Sequence, residues 1–178
     1  MALEHNARLY FGVLDGADTV NRALREGFAR WAGHPETRRT HYFGGRYENV
    51  YVGPDRIPEL VELLTAARRL AGEALGVPAD TLQVGFWFNA MGPGERTLPH
   101  THDDADELLS GVYYIDVPTE SGELVIHDRH ARATVTPRPG MLVLFPPDLL
   151  HEVSENRSGR PRLSVGMNFG PAKVVSTP

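Results

Sequence analysis

The sequence LQVGFWFN, residues 82–89, marks a change in the hydrophobic periodicity of the chain. Leu82, Val84, Phe86 and Phe88 occupy every second position, and alternate side chains of a β-strand point to the same face of a sheet. Hydrophobic residues before this stretch instead follow helical spacing. We therefore expect a sheet-forming region that begins at residue 82.

Short apolar runs recur along the rest of the chain, with turn residues between them. The composition, with Gly 18 and Pro 14, is rich in turn formers, and the cluster Pro137–Gly140 is one example of a turn. About eight strands at this spacing predict an antiparallel sandwich or barrel. The expected strands cover 82–89, 96–102, 108–117, 122–127, 131–136, 141–145, 150–154 and 162–169.

The first half of the chain carries two amphipathic segments. The spacing of Val20, Leu24, Phe28 and Trp31 predicts a helix over 19–32, and a second helical pattern covers 58–75. Two helices that precede a sheet are expected to pack on its outer face. We expect a short strand at 9–14 and a loop with one or two short strands over 34–57.

Composition limits the classes of protein to consider. The 178 residues, 41% hydrophobic, suit one domain, 1–178, in which a helical part, 1–80, supports the sheet region. A net charge of −5 argues against nucleic-acid binding, and no apolar run is long enough to span a membrane. The absence of cysteine excludes thiol catalysis and Cys-ligated metals. A cytoplasmic protein is the expectation.

The histidines suggest a metal site. Residues two apart on a strand share a face, so either His100 with His102 or His102 with Asp104 can present two ligands, and His151 can supply a third. Two imidazoles and one carboxylate form the facial triad of non-heme Fe(II) oxygenases. Three imidazoles suit zinc, iron or another divalent metal equally well.

Several short motifs follow one another along the second half of the chain. They are Met91–Gly94, His102–Asp104, Ser110–Ile115, Ser121–Leu124, Pro137–Pro146, His151 and Arg162–Ser164. Their order and spacing resemble the 2-oxoglutarate/Fe(II)-dependent dioxygenases, specifically the prolyl-hydroxylase-like branch. The resemblance implies a double-stranded β-helix (a jelly-roll, or cupin-like barrel) over 82–169.

The same resemblance implies the cofactors and the reaction. Fe(II) is the expected metal, with 2-oxoglutarate as co-substrate and O2 as oxidant. The expected reaction hydroxylates an amino acid, a peptidyl residue or a small natural-product intermediate and releases CO2 and succinate. The sequence specifies neither the substrate nor the oligomeric state.

The resemblance also suggests metal ligands, in two alternative registers. Counting backward from Ser110 without gaps places His102 on the first ligand, which makes His102, Asp104 and His151 the expected set. The preceding Gly94 and Pro99 favour a register that begins at His100 instead, with three histidines. In the first register His100 faces the substrate or supports the ligands.

Four residues are expected to bind 2-oxoglutarate. Arg162 lies eleven residues after His151, close to the roughly ten residues that separate the distal His from the carboxylate-binding Arg in the family, and its planar fork matches a carboxylate. Ser164 shares its strand face, and Tyr114 matches a tyrosine that donates its hydroxyl to the same carboxylate. Asn89 is the candidate at the keto-acid end. Arg160 competes with Arg162 for the anchoring role.

A second class of protein remains open at this point. The segment Gly94 to Glu107 resembles the first motif of cupins, which would make the chain a cupin-like metal isomerase or a small-ligand binding module. The second cupin motif is not matched around Gly140. The segment that contains His41, Tyr42 and Arg46 is expected to fold over the active site in the dioxygenase reading.

Overall fold

The computed structural model describes residues 4–6, 8–103, 105–128 and 131–173. Within these residues, two β-sheets and two α-helices make up the fold, and the predicted double-stranded β-helix is confirmed. The helices are α1 (Ala17–Trp31) and α2 (Leu60–Leu75). The first strands are β1 (Glu4–Asn6), β2 (Leu9–Val13), β3 (Arg38–Phe43), β4 (Arg46–Tyr51), β5 (Leu82–Met91) and β6 (Thr97–His100). The others are β7 (Leu109–Asp116), β8 (Leu124–Asp128), β9 (Ala131–Val135), β10 (Met141–Phe145), β11 (Leu150–Val153) and β12 (Arg162–Pro171).

A large sheet and a small sheet divide these strands. The eight strands of the large sheet have the order β1-β2-β10-β7-β12-β5-β4-β3, and the four strands of the small sheet have the order β6-β11-β8-β9. The paired strands are antiparallel. All eight strands expected after residue 81 are present, with ends that differ by a few residues from the prediction.

The hydrophobic core on the outer face of the large sheet lies against the two helices. Leu24 of α1 and Leu63 of α2 are fully buried there, together with Phe88 of β5. The rings of Phe28 and Phe88 have centroids 5.1 Å apart. Burial of the apolar stripe of each helix is the main source of its stability. The prediction that both helices pack on the outer face is confirmed.

Strand β7 shows how the two faces of the large sheet differ. Tyr113 points to the helices and donates its hydroxyl hydrogen bond to Oδ1 of Asn21, at 2.7 Å. Tyr114, the next residue, points to the space between the sheets and packs with Leu124 and Phe145. The two-residue period of the strand thus separates helix-packing residues from residues that can line a cavity.

The segment before residue 80 is more than the helical support that its periodicity indicates. Strand β2 pairs with β10, and β4 pairs with β5 through Val50 and Phe88, so this segment extends both sides of the large sheet. The stretch 34–57, expected to be a loop with one or two short strands, contains the two strands β3 and β4, each six residues long. Polar and aromatic residues dominate both strands, which hides the hydrophobic alternation on which the prediction relied.

Neither α1 nor α2, the helices of the described residues, has the length and hydrophobicity that crossing a lipid bilayer requires.

Candidate active site

A cavity of about 470 Å³ lies between the two sheets. Its walls include Trp87 and Asn89 of β5, Tyr114 of β7 and Ser164 of β12, all from the large sheet. The small sheet contributes residues of β6, β8 and β11. A cavity of this size is large enough for a small ligand.

Three histidines meet at the small-sheet side of this cavity. His100 ends β6 and pairs directly with His151 of β11, and His102 follows two residues later. One ring nitrogen from each histidine lies within 4.8 Å of the other two. These distances are short enough for one metal ion to contact all three rings after small side-chain rotations.

Two of these imidazoles are oriented by the same kind of hydrogen bond. Nδ1 of His100 lies 2.8 Å from the carbonyl oxygen of Leu98, and Nδ1 of His151 lies 2.8 Å from that of Leu149. A carbonyl oxygen can only accept, so Nδ1 carries the proton in both rings. Nε2 is then left with a free electron pair, which is the state of a metal-binding histidine.

The environment of His151 keeps its ring neutral. Burial disfavours the imidazolium and, together with the neighbouring His100, lowers the pKa of His151 from 6.5 to about 3. A metal ligand must be deprotonated at the coordinating nitrogen. The site therefore holds His151 in the binding form at neutral pH.

The predicted ligand Asp104 lies outside the described residues. The structure thus brings together His102 and His151 of the expected set, with His100 beside them. The backbone N–H of His102 donates a hydrogen bond to the carbonyl oxygen of Pro147, at 2.9 Å. This bond fixes the chain after β6 against the segment that leads into β11.

Arg162 lies in the cavity wall and is only 2% exposed. Its NH1 group donates a hydrogen bond to the carbonyl oxygen of Gly122, at 3.2 Å, while its Nε has no partner. Within the described ranges no carboxylate pairs with it, and burial lowers its pKa. A buried cation without a counter-ion is costly, so this position favours an anionic ligand.

Gly122, whose carbonyl oxygen accepts the hydrogen bond from Arg162, has an unusual backbone conformation. Its φ is +93°, in the region that glycine tolerates best. A Cβ at this position would also collide with the carbonyl oxygen of Ser154. Only glycine therefore fits between the Arg162 side chain and the chain that follows β11.

The other residues predicted to bind 2-oxoglutarate surround Arg162. Tyr114 lies with its ring centroid 5.7 Å from the guanidinium carbon of Arg162. Burial raises the pKa of Tyr114 to about 12, so its hydroxyl keeps its proton. Ser164 and Asn89 pair across β12 and β5 and line the same cavity.

Arg160, the competing carboxylate anchor, is engaged elsewhere. Its guanidinium lies 3.2 Å from both carboxylate oxygens of Asp116, and its side chain is 67% exposed. It does not line the cavity, whereas Arg162 does.

The β3–β4 hairpin lies at the mouth of the cavity. His41, Tyr42 and Phe43 contribute to its wall, as expected for a segment that folds over the site, and Tyr42 is 67% exposed. His41 has a φ of +57°, which is uncommon outside glycine and occurs often at functional positions. The long polar segment thus forms part of the site.

Glu48 and Trp87 are among the cavity residues that were not identified as site residues from the sequence. Glu48 lies in a strand without hydrophobic alternation, so no pattern indicated it. Trp87 alternates with the buried Phe88, and its position in a two-residue period was the available signal. Opposite Trp87 on β12 is Gly166, where a Cβ would meet the indole at 2.6 Å.

The arrangement combines a metal-binding group with an anion-binding group in one cavity. The clustered imidazoles suit a divalent ion of the first transition series, such as Fe(II). Arg162 and Tyr114 offer a cation and a hydroxyl donor, which suit a carboxylate. A ligand that carries a carboxylate and also contacts the metal fits both groups.

Comparison with protein families gives one match. Residues 86–170 match the model of the 2OG-Fe(II) oxygenase superfamily. These residues include the three clustered histidines, Tyr114 and Arg162. Comparison with curated proteins gives no match.

Solved structures share the fold over nearly the whole chain. A prolyl-4-hydroxylase from Pseudomonas putida superposes with a TM-score of 0.74 at 22% identity, over 93% of this chain and 94% of that one. The epimerase SnoN, solved with Fe3+, alpha-ketoglutarate and nogalamycin RO, gives 0.70 at 20% identity, over 93% and 79%. A Trichoplax adhaerens prolyl hydroxylase, solved with a hypoxia-inducible-factor peptide fragment, gives 0.69 at 12% identity, over 92% and 84%.

Proposed function

We propose that this chain, whose residues 86–170 match the model of the 2OG-Fe(II) oxygenase superfamily, is a 2-oxoglutarate-dependent dioxygenase with an iron cofactor and hydroxylates a small molecule or a peptide. In this proposal His100, His102 and His151 hold Fe(II), and Arg162 anchors 2-oxoglutarate.

The matched orientation of His100 and His151 is the observation that carries the proposed ligand set. Each ring donates from Nδ1 to the carbonyl oxygen two residues before it, at 2.8 Å, and so keeps Nε2 for a metal. A histidine that merely faced the substrate would not need the same bond. With His102 nearby, three imidazoles occupy one side of an ion.

Fe(II) fits this group of residues. Imidazole nitrogen is a suitable ligand for iron, and three ligands on one face leave open positions for a co-substrate and O2. When bound, iron supplies the site at which O2 oxidises 2-oxoglutarate to succinate and CO2 while one oxygen atom passes to the substrate. Asp104 is the alternative third ligand and is tested below.

Arg162 provides the second part of the co-substrate site. The distal carboxylate of 2-oxoglutarate would occupy the position where the buried guanidinium lacks a counter-ion. Two parallel N–H donors give this pairing its geometric specificity. With this carboxylate held by Arg162, the keto-acid end of 2-oxoglutarate would extend toward the three histidines.

Tyr114, Ser164 and Asn89 would orient the same molecule. The Tyr114 hydroxyl stays protonated at neutral pH and can donate to the distal carboxylate next to Arg162. Ser164 lies on the same strand face as Arg162. Asn89, on the neighbouring strand, can donate its amide to the keto-acid end.

The mouth of the cavity supports the proposed class of substrate. Tyr42 and Phe43 of the β3–β4 hairpin, together with Leu98, are exposed apolar side chains beside the site. Aromatic side chains at a cavity mouth can contact a ring or a peptide side chain. Of the similar structures, SnoN was solved with nogalamycin RO and the Trichoplax adhaerens prolyl hydroxylase with a peptide fragment.

Consumption of 2-oxoglutarate tests the proposed function. The purified protein should form succinate from 2-oxoglutarate only when Fe(II) and O2 are both present, and a chelator should abolish the reaction. His151→Ala should be inactive, and Arg56→Ala, a change remote from the cavity, should be active. If 2-oxoglutarate is not consumed under any of these conditions, the proposal is wrong and a cupin-like metal protein becomes the better reading.

A further inference from the structure

Arg46 joins four separate segments at the edge of the cavity. Its side chain is only 10% exposed and extends from β4. NH1 donates to Oδ1 of Asn89 on β5 at 3.1 Å, and NH2 donates to Oγ1 of Thr97 on β6 at 3.3 Å. Nε lies 3.1 Å from a carboxylate oxygen of Glu95, in the turn between these strands.

The charge of Arg46 is balanced within the protein. NH2 lies 2.9 Å from Oε1 of Glu48, and Nε contacts Glu95, so two carboxylates share one guanidinium. NH1 and NH2 also donate to the carbonyl oxygens of Ala90 and Arg96. With its three nitrogens engaged in this way, Arg46 differs from Arg162 and is not set to bind an anionic ligand.

The contact with Arg46 determines which way the amide of Asn89 faces. A guanidinium has donors only, so the atom that faces it must be the amide oxygen of Asn89. The amide nitrogen of Asn89 therefore points away from Arg46. Within the described residues Nδ2 has no hydrogen-bond partner, and Asn89 lines the cavity.

We propose that Arg46 is a positioning residue, which holds the amide of Asn89 with its N–H groups available to 2-oxoglutarate. Without the guanidinium, the amide can rotate and present its oxygen, which would repel a carboxylate or a keto oxygen. Arg46 itself does not touch the co-substrate. This inference rests on the proposed function, because it needs 2-oxoglutarate to bind beside Asn89.

A double-mutant cycle tests this role. At saturating Fe(II), Asn89→Ala should raise the KM for 2-oxoglutarate about tenfold or more, the size expected for one hydrogen bond to a charged group. Arg46→Met should raise it by a similar factor, with a smaller change in kcat. The combination should be no worse than the larger single change, because Arg46 acts through Asn89.

Controls separate positioning from general loss of stability. Arg56→Met removes another arginine that pairs with acidic residues, at a site distant from the cavity, and should leave the KM unchanged. The double variant Arg46→Met/Glu48→Gln neutralises one of the carboxylates that Arg46→Met leaves unpaired. It should recover much of the lost free energy of unfolding, while the KM for 2-oxoglutarate should stay raised. Arg46→Lys should recover the KM only in part, since an ammonium lacks the fork.

The possible outcomes separate this inference from the proposed function. If Asn89→Ala raises the KM and Arg46→Met does not, or if the two effects multiply, Arg46 does not act through Asn89 and the inference is wrong. If the KM recovers together with stability in the Glu48→Gln background, the role of Arg46 is structural only. If the parent protein consumes no 2-oxoglutarate, the proposed function itself fails, and the inference fails with it.

Discussion

His100 and His151 lie opposite each other across strands β6 and β11, with their ring centroids 4.3 Å apart. Directly opposed residues of an antiparallel pair have neighbouring side chains on the same face of the sheet. The pairing of two strands that are distant in sequence therefore places these imidazoles together. Each ring then donates the same orienting hydrogen bond, from Nδ1 to the backbone carbonyl oxygen two residues earlier.

Replacement of Arg162 should weaken 2-oxoglutarate binding strongly. Loss of one partner from a buried charge-assisted pair costs about 2–5 kcal/mol, which corresponds to roughly a 30- to several-thousand-fold rise in the dissociation constant. We expect this for Arg162→Ala and a partial recovery for Arg162→Lys, which keeps the charge without the fork. The KM for 2-oxoglutarate at saturating Fe(II) is the measurement.

Arg160→Ala is the matched control for this prediction. Arg160 lies two residues before Arg162 but pairs with Asp116 at the surface, so its loss should not change the KM for 2-oxoglutarate. A raised KM for Arg160→Ala with a normal KM for Arg162→Ala would assign the anchor to Arg160.

Removal of the Tyr114 hydroxyl should have a smaller effect. Tyr114→Phe keeps the buried ring that packs with Leu124 and Phe145 and removes one neutral donor, at a cost of about 0.5–1.5 kcal/mol. The expected rise in the KM is therefore about 2- to 12-fold. An unchanged KM would show that this hydroxyl does not touch the co-substrate.

A side chain at Gly122 should disturb both the fold and the anchor. In Gly122→Ala the new Cβ meets the carbonyl oxygen of Ser154 at a backbone φ of +93°, and strain of this kind costs about 1–3 kcal/mol. Urea unfolding should show this loss. Gly159→Ala, where a Cβ meets nothing within 4 Å, should change stability by less than about 0.5 kcal/mol, and equal losses in both variants would contradict the account.

The metal-free protein should lose stability as the pH falls below 6.5, because of His151. Its pKa is about 3 in the folded protein and 6.5 when exposed, so the unfolded chain binds more protons between these values. The free energy of unfolding should then fall with decreasing pH by up to about 1.4 kcal/mol per unit from this residue. Urea unfolding with a chelator, between pH 7 and pH 5, measures the slope.

One histidine variant isolates this contribution. His151→Asn should show a shallower dependence of the free energy of unfolding on pH than the parent protein. Equal slopes for His151→Asn and the parent would mean that His151 does not titrate as its burial indicates.

The hydrophobic pattern of the sequence predicted those strands that bury one or both of their faces. The alternation through Leu82 and Phe88, and the apolar run before Phe145, reflect burial against the helices or between the sheets, which a period of two reveals. Strands β3 and β4 do not show this alternation because their side chains are mostly polar or exposed. Their place depends on a tertiary contact, the pairing of Val50 with Phe88.

The sequence also named many of the residues that meet at the cavity, including His102, His151 and Arg162. It left two ligand registers open because strand register is set by pairing between distant segments, which a single sequence does not display. The role of Arg46 was hidden for the same reason. Its partners Asn89, Glu95 and Thr97 lie more than 40 residues further along the chain.

Fe(II) affinity of two single variants tests the central claim most directly. Anaerobic titration of Fe(II) into the parent, His100→Ala and Asp104→Ala, each followed by the absorption change on addition of 2-oxoglutarate, compares the two candidate third ligands. The proposed three-histidine site predicts that His100→Ala weakens Fe(II) binding more than about 100-fold, while Asp104→Ala binds Fe(II) and 2-oxoglutarate as the parent does. Loss of Fe(II) from Asp104→Ala with normal binding by His100→Ala would contradict it and assign the site to His102, Asp104 and His151.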